Sequence, residues 1–321
     1  MSILIAECCQ NHNGQRDILK DMIHQAAENG ADYVKLQAIR SRELTHRERF
    51  DEGIVDENGE VITIKRSYDV ELKRLQQLDL SLEDEQWFVD ECRKVGVGSM
   101  TTTFTRTAAR EVKDMGYEAV KVASYDCRSY PLLQDLKQWW STIFVSTGAT
   151  YDQEVARAAE ILAGTNYSFL HCITIYPTPM SQQNLARINW LRQFTHQVGF
   201  SDHTRVKTDG LWASKIAIAL GASVIERHYT ILEDDQTKDG PISITPGMLG
   251  ELRRFADLPR TTQMAEIRAE YPGWEQTIGV ATRAMTPDEI RNRDYYSGRF
   301  ASKVGNQVIY NWEDIDFDHW S

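Results

Sequence analysis

Glu28-Asn-Gly-Ala-Asp-Tyr-Val-Lys-Leu-Gln37 joins the end of a segment of helical period to a short apolar run. The Asn-Gly pair is typical of a helix end, where glycine readily takes the left-handed conformation. The apolar run that follows is short enough for a buried parallel strand, and it finishes in polar side chains. Helix, glycine turn and buried strand in this order form the repeating unit of an α/β fold.

The same unit recurs along the chain, since Lys-Val-Gly96, Asp-Met-Gly116 and Ala-Leu-Gly221 each precede another apolar run. Predicted strands fall at residues 4–6, 32–36, 98–102, 119–122, 143–146, 168–171, 198–200 and 223–226. Predicted helices fall at residues 17–29, 82–94, 108–115, 130–138, 152–162, 185–193, 209–220 and 246–256. Thr245 is the expected N-cap of the last helix, with Pro246 in its first position.

Eight strand–helix pairs within about 250 residues predict an α/β fold of the (β/α)8 barrel type. A doubly wound open sheet is the alternative, and it would require a Gly-x-Gly-x-x-Gly sequence after an early strand. The first turn reads Glu7-Cys-Cys-Gln-Asn-His-Asn-Gly14 instead, which favours the barrel. We therefore predict a catalytic barrel domain over residues 1–258 and a C-terminal extension over residues 259–321.

Two segments lie outside this alternation. Residues 41–81 are highly charged and contain the hairpin signal Asp56-Glu-Asn-Gly59, so they are expected to form a small hairpin or lid on the barrel. The C-terminal extension is too rich in aromatic residues for a disordered tail and is expected to pack on the protein. Its large aromatic residues include Trp274, Tyr295, Tyr296, Trp312 and Trp320.

Composition excludes several classes of function. The 321 residues include 36 Lys and Arg against 47 Asp and Glu, a formal net charge of −11, which argues against nucleic-acid and anionic-membrane surfaces. No apolar run approaches the roughly 20 residues of a membrane span, and Glu7 comes too early for a signal peptide. The five cysteines form no C-x-x-C pair, which is typical of a cytoplasmic protein with reduced thiols.

Polar side chains stand at the carboxyl end of every predicted strand. In a barrel these ends share one rim, where the active site of this fold lies. Eight converging groups are difficult to explain as solvation, so we predict an active site there. The set comprises Glu7, Lys35, Gln37, Thr102, Lys121, Ser124, Asp126, Ser146, Thr147, His171, Ser201, Asp202, His203, Glu226, Arg227 and His228.

The residue types in this set indicate its chemistry. Lys35 and Lys121 follow apolar residues in an acidic protein, which suits anion binding or, as a less favoured alternative, a Schiff base. The set also contains hydroxyl groups, which commonly surround phosphate or carboxylate oxygens. They include those of Thr102, Ser124, Ser146 and Ser201. His203 and His228 end neighbouring strands and suit a divalent metal with open positions. From spacing alone, two buried structural histidines remain equally open.

Several blocks of these residues together resemble the N-acetylneuraminate (sialic acid) synthase family. The resemblance runs in order from about residue 3 to residue 258. Its blocks are Glu7 with Asn11-His-Asn-Gly14, Gly30-Ala-Asp-Tyr-Val-Lys-Leu-Gln37, Lys121-Val-Ala-Ser124, Ser146-Thr-Gly148, His171-Cys-Ile-Thr-Ile-Tyr-Pro-Thr-Pro179, Ser201-Asp-His-Thr204 and Glu226-Arg-His-Tyr-Thr230. The resemblance implies a barrel that condenses phosphoenolpyruvate with an N-acylated amino sugar, giving a sialic-acid-like nonulosonic acid and phosphate.

The resemblance also implies roles for individual residues. His203 and His228 would bind the divalent metal, Mn²⁺ or Mg²⁺, while Glu7, Asp126 and Lys121 would be catalytic. Phosphoenolpyruvate would be bound by Lys35, Thr102, Lys121, Ser124, Ser146 and Ser201. The centre of the site and the sugar would be contacted by Glu7, Gln37, Tyr176 and Asp239, and Thr174 would lie near the phosphate.

The sequence departs from the family pattern at several places. Asp126 stands where the family usually has a glutamate, Thr174 replaces an asparagine and Lys238 replaces a proline. The family's C-terminal antifreeze-like domain lends an arginine to the partner subunit, and residues 295–318 resemble only the opening of that domain. We expect a homodimer in which residues 41–81 and the tail residues Arg293, Tyr295, Tyr296 and Arg299 cover the sugar site of their own or the partner subunit. The alternative is a tail that only covers the outer helices.

Two other functions fit the same residues. A pyruvate aldolase on the same barrel would use Lys35 or Lys121 as a Schiff base, and borohydride trapping with pyruvate would reveal it. A catalytically silent sugar-binding protein would have no reason to retain the rim carboxylates, lysines and histidines together. The family resemblance favours the synthase over both.

Overall fold

A computed structural model describes residues 2–315 and contains a closed barrel of eight parallel strands. The first strand pairs with both the second and the eighth, which closes the barrel. This confirms the predicted fold and all eight strand positions. In order, the barrel strands are Ile3–Cys9, Tyr33–Ala38, Gly98–Thr103, Ala119–Val122, Thr142–Ser146, Asn166–His171, Val198–Asp202 and Val224–His228.

Helices follow every strand, as the periodicity predicts. Thr245 caps the last barrel helix by accepting a hydrogen bond from the Met248 amide. The helix expected at residues 209–220 is split, because Gly210 takes a φ of +55° between two shorter helices. The barrel helices are Arg16–Glu28, Leu82–Val95, Arg106–Val112, Tyr130–Trp139, Asp152–Leu162, Arg187–Leu191, Val206–Asp209 with Trp212–Ala219, and Pro246–Asp257.

The barrel interior is built in layers that follow the two-residue period of its strands. An apolar layer contains the buried side chains of Ile5, Met100, Ala119, Phe144, Leu170 and Val224. Side chains two residues further along a strand point to the same face. The next layer therefore carries Glu7, Thr102, Lys121, Ser146, Cys172 and Glu226. The polar site thus rests on an apolar floor inside the barrel.

Residues 41–81 form the expected hairpin and two helices. Ile54–Val55 pairs with Val61–Thr63, and the turn closes where the Gly59 amide donates to Asp56 O at 3.1 Å. The helices of this segment are Arg49–Glu52 and Tyr68–Gln76. The hairpin prediction is confirmed.

The C-terminal extension packs on the barrel and on residues 41–81. Its helices are Arg260–Glu270 and Pro287–Tyr296, followed by the hairpin Ser302–Val304 with Gln307–Ile309. Leu44 and Phe300 form a β-bridge, and Phe50 meets Tyr295 edge to face at 5.1 Å. The packing of the aromatic tail is confirmed up to residue 315, while Trp320 lies outside the described residues.

The predicted boundary at residues 258 and 259 falls in the turn between helices Pro246–Asp257 and Arg260–Glu270, and it stays a prediction. Within residues 2–315, none of the helices combines the length and the apolar character that crossing a membrane requires.

Candidate active site

A cavity of about 390 Å³ opens at the carboxyl ends of the barrel strands. Its walls come from the strand ends, from residues 41–81 and from the C-terminal tail, so both extra segments reach the barrel mouth as expected. The lining residues include Glu7, Lys35, Gln37, Arg66, Arg74, Thr102, Lys121, Ser124, Ser146, Tyr176, Ser201, His203, Glu226, His228, Lys238, Asp239, Asn292, Tyr296 and Arg299.

Two lysines and two glutamates form a buried cluster at the base of the cavity. Lys35 Nζ contacts the Glu7 carboxylate and lies 3.1 Å from Glu226 Oε2. Lys121 Nζ lies 3.2 Å from Glu226 Oε1. All four side chains are buried, so each charge depends on its partners rather than on water. We call these four residues the lysine–glutamate cluster.

Hydroxyl groups from three other strands complete this cluster. Lys35 Nζ donates to Thr102 Oγ1 at 3.1 Å, and Lys121 Nζ donates to Ser146 Oγ at 2.7 Å. Ser201 Oγ donates to Glu226 Oε1 at 2.8 Å. The result is a dense array of cationic and hydroxyl donors, the group types that bind phosphate and carboxylate oxygens.

The cluster perturbs the proton affinities of its members. Burial raises the pKa of Glu7, although Lys35 opposes this shift. Burial also acts against the charged form of Glu226, but Lys121 and Lys35 outweigh it and lower the pKa of that carboxyl. Burial lowers the pKa of Lys121, which Glu226 partly offsets. Glu226 is therefore the firmly ionised member, while Glu7 is the carboxyl best suited to hold and release a proton.

Ser124 occupies one wall of the cavity beside a tight backbone approach. Its Oγ lies 2.9 Å from Cys172 Sγ and accepts the Gly148 amide at 3.2 Å. A Cβ at Gly148 would lie 2.5 Å from Cys172 Sγ and 2.7 Å from Thr174 Cγ2. Only glycine allows the loop after the fifth strand to approach the sixth strand this closely.

Gly148→Ala is expected to destabilise the protein by about 1–3 kcal/mol, because the added methyl has no space beside Cys172 and Thr174. Gly247→Ala is the matched control, since its Cβ would meet no atom within 4 Å and alanine favours a helix. Chemical denaturation of both variants provides the measurement. Equal stability of the two variants would contradict the packing described for the loop.

Cys9, His228 and Asp239 come together where the first and eighth strands end, and His203 follows the neighbouring seventh strand. The His203 and His228 rings lie 5.4 Å apart between centroids. Ligand atoms of Cys9, His228 and Asp239 all lie within 4.8 Å of one another. His228 Nδ1 is 3.1 Å from Cys9 Sγ and 3.9 Å from Asp239 Oδ2.

The chemistry of this donor set fits a divalent metal ion. Burial lowers the pKa of both histidines to about 3, so their imidazoles are neutral and can act as ligands. His203 Nδ1 donates to Ile173 O at 3.1 Å, which leaves Nε2 with a lone pair. Burial raises the pKa of the Cys9 thiol, so the thiol is protonated when no metal is bound and would have to lose its proton to act as a ligand.

Several predicted residues do not line the cavity. They are two residues with an assigned role, Asp126 and Thr174, together with Thr147, His171, Asp202 and Arg227 of the strand-end set and Arg293 and Tyr295 of the tail. Asp126 is not among the residues that line the cavity, and its Oδ1 instead accepts from Ser129 Oγ at 2.8 Å and Asn311 Nδ2 at 2.9 Å. The expectation that Asp126 faces the substrate is therefore not met, because the tail residue Asn311 binds its carboxylate outside the cavity. Thr174 is also buried outside the cavity lining, where its carbonyl accepts from Asn292 Nδ2 at 2.6 Å.

The other predicted residues line this one cavity. Several residues that received no role from the sequence also line it. Gln37 Nε2 donates to Cys9 Sγ at 3.3 Å, and the Tyr176 ring lies 4.4 Å from that of His203. Glu226 was visible as a strand-end residue but carried no assigned role. Cys9 could not be predicted as a site residue, because a bulge after Glu7 shifts the register of the first strand. Arg66 and Arg74 could not be predicted as site residues, because only the high charge of residues 41–81 pointed to them.

The fold and the site together define a barrel enzyme with an anion-binding cavity and a candidate metal centre. The NeuB family model matches residues 22–265, and the chain belongs to the NeuB family. Family members are phosphoenolpyruvate-utilising synthases of nonulosonic acids such as legionaminic, pseudaminic and sialic acids, and they are generally metal-dependent. The resemblance found in the sequence is confirmed.

Individual relatives cover most of the chain. The N,N'-diacetyllegionaminic acid synthase of Campylobacter jejuni is 28% identical over 311 residues, which cover 94% of this chain and 88% of that protein. The pseudaminic acid synthase of Helicobacter pylori is 26% identical over 245 residues, covering 75% and 69%. The crystal structure of the spore coat polysaccharide biosynthesis protein SpsE from Bacillus subtilis aligns with a TM-score of 0.70 at 26% identity, covering 92% and 77%.

Proposed function

We propose that this protein condenses phosphoenolpyruvate with an N-acylated amino sugar to give a nonulosonic acid and phosphate. The observation that carries the proposal is the lysine–glutamate cluster with its hydroxyl groups, adjacent to His203 and His228 in one cavity. Family membership supports the same chemistry.

Lys35 and Lys121 would bind the anionic groups of phosphoenolpyruvate. Their Nζ atoms already lie within hydrogen-bonding distance of Thr102 Oγ1 and Ser146 Oγ, so a ligand oxygen would find several donors together. Because the cluster is buried, these donors would act with little screening by water. Ser124 and Ser201 line the same cavity and would add further hydroxyl contacts.

His203, His228 and Asp239 would hold the divalent metal, for which we propose Mn²⁺ or Mg²⁺. When bound there, the metal would supply Lewis-acid polarisation of the sugar aldehyde. Tyr176, Asn292 and Tyr296 line the outer part of the cavity and would position the sugar and exclude water. The tail would thus complete the sugar site within one subunit.

The reaction forms a bond from carbon 3 of phosphoenolpyruvate to the aldehyde carbon, whose oxygen takes up a proton. Water then adds at carbon 2, loses a proton, and phosphate leaves with the bridging oxygen. The protein must therefore supply a group that exchanges protons beside carbon 2. Glu7 lies in the cavity with a pKa raised by burial, and we assign this role to it in place of Asp126.

Glu7→Gln is expected to lower kcat by about two to four decades, because the amide cannot exchange the proton. Asp126→Asn serves as the matched carboxylate-to-amide change, and its loss is expected to stay under about tenfold, since its carboxylate is held by Ser129 and Asn311. Steady-state kinetics on both variants provides the measurement. A larger loss in Asp126→Asn than in Glu7→Gln would return the role to Asp126.

Phosphate release from phosphoenolpyruvate, measured with a panel of N-acyl hexosamines, tests the proposed function. We expect release only when a suitable sugar is present. Borohydride treatment in the presence of pyruvate tests the aldolase alternative, and we expect no covalent adduct on Lys35 or Lys121. A trapped lysine, or no sugar-dependent release, would contradict the proposal.

The compartment and the oligomeric state remain proposals. All five cysteines are free and buried, which supports a reducing compartment such as the cytoplasm. We also propose a homodimer, as the family resemblance implies. Size-exclusion chromatography with light scattering would test the dimer directly.

A further inference from the structure

Four cationic side chains from three separate segments meet in the outer part of the cavity. Arg66 and Arg74 come from residues 41–81, Lys238 from the loop after the eighth strand, and Arg299 from the tail. None of these segments belongs to the barrel, so the four residues lie above the strand ends that carry Lys35 and Lys121. We call them the mouth cluster.

The mouth cluster has an excess of positive charge. Glu71 is the carboxylate that its described contacts reach, accepting from Arg74 Nε at 3.1 Å and Nη2 at 2.9 Å and pairing with Arg299. Four cations against Glu71 and Asp239, which follows Lys238 and lines the same cavity, leave about two positive charges together, in a protein whose formal net charge is −11. Like charges held this close are unfavourable unless an anion joins them.

Two donors of the mouth cluster are also left without partners. Arg66 Nη1 and Arg299 Nε are buried and have no hydrogen-bond acceptor among the described residues. Arg299 is only 8% exposed, so water does not readily replace that acceptor. A buried N–H group of a charged side chain without an acceptor is costly, which indicates that a ligand oxygen belongs there.

Phosphoenolpyruvate does not account for this second group of cations. The proposed function places phosphoenolpyruvate at Lys35 and Lys121 in the deeper part of the cavity, where Thr102 and Ser146 add hydroxyl donors. The mouth cluster is a second site with excess positive charge. Tyr296 and Asn292 of the tail line the same cavity. The second substrate is therefore the molecule that must supply the anion.

We propose that the mouth cluster binds a phosphate monoester carried by the acceptor sugar at the end away from its aldehyde. The inference rests on the proposed function, because it assumes a sugar acceptor in this cavity. A phosphate monoester brings about two negative charges and three acceptor oxygens, which match the excess charge and the free guanidinium donors. A neutral sugar would leave both uncompensated.

The test compares N-acyl hexosamines with their 6-phosphates as acceptors, using phosphate release from phosphoenolpyruvate. The phosphorylated acceptor is expected to give a kcat/KM at least about tenfold higher, since charge-assisted hydrogen bonds are the strong ones. Arg66→Gln is expected to raise the KM for the phosphorylated acceptor about tenfold, with the change falling on the acceptor rather than on phosphoenolpyruvate. Lys65→Gln removes a neighbouring, exposed charge outside the cavity lining and should leave these constants unchanged.

Calorimetric binding of the same sugars to the intact protein gives a second measurement that needs no turnover. Tighter binding of the 6-phosphate, lost in Arg66→Gln and kept in Lys65→Gln, supports the inference. Equal or better use or binding of the neutral sugars would overturn it, as would an Arg66→Gln effect confined to phosphoenolpyruvate. If no sugar releases phosphate, the proposed function fails, and the binding comparison still decides the inference.

Discussion

Lys121→Met is expected to lower kcat/KM for phosphoenolpyruvate by about two to three decades, because it removes a buried cationic donor from the base of the cavity. The same change should destabilise the protein by about 3–5 kcal/mol. Lys121 Nζ is a direct partner of Glu226 Oε1, so the substitution deprives a buried carboxylate of charge compensation.

The double variant Lys121→Met with Glu226→Gln separates these two effects. Neutralising the carboxylate should restore most of the lost stability, while the donor to the ligand stays absent and activity stays low. Thermal unfolding and steady-state kinetics are measured on the two single variants and the double variant. Recovery of activity together with stability would show that Lys121 serves only the fold.

Removal of the metal is expected to abolish turnover, and Mn²⁺ or Mg²⁺ should restore it. His203→Ala should lower kcat/KM by about a hundredfold or more, because His203 is assigned as a metal ligand at the rim. The loss of stability should be small by comparison, since the ring borders the cavity rather than the apolar core.

His24→Ala is the matched histidine control, since His24 lies on the first helix, where it pairs with Glu91 away from the cavity. Activity is measured after chelation and after stepwise addition of each metal. Full activity in the chelated protein, or equal losses in His203→Ala and His24→Ala, would contradict the metal site.

The barrel could be predicted because its determinants are local. Glycines such as Gly30, Gly96 and Gly221 mark helix ends by their positive φ, and apolar runs of strand length follow them. The strand-end positions of Lys35, Lys121, His203 and His228 then placed these residues on one rim, because parallel strands share a direction. The period of two along each strand carries this information in the sequence itself.

Other parts of the site depend on contacts between distant segments and could not be predicted. Asp126 follows the fourth strand, as a catalytic residue would, but Asn311 from the tail engages its carboxylate. Cys9 comes beside His228 only through the pairing of the first and eighth strands. The mouth cluster joins Arg299 of the tail to Glu71, the helical neighbour of Arg74, and no local pattern encodes the long-range pair of Glu71 and Arg299.

The reaction in ¹⁸O-labelled water tests the central claim most directly. Purified protein is incubated with phosphoenolpyruvate, Mn²⁺ and the acceptor sugar that supports release, and both products are analysed by mass spectrometry. The account predicts unlabelled phosphate, formed only in the presence of the sugar, and label at carbon 2 of the nonulosonic acid. Label in the phosphate would show attack at phosphorus, and it would contradict the proposed condensation.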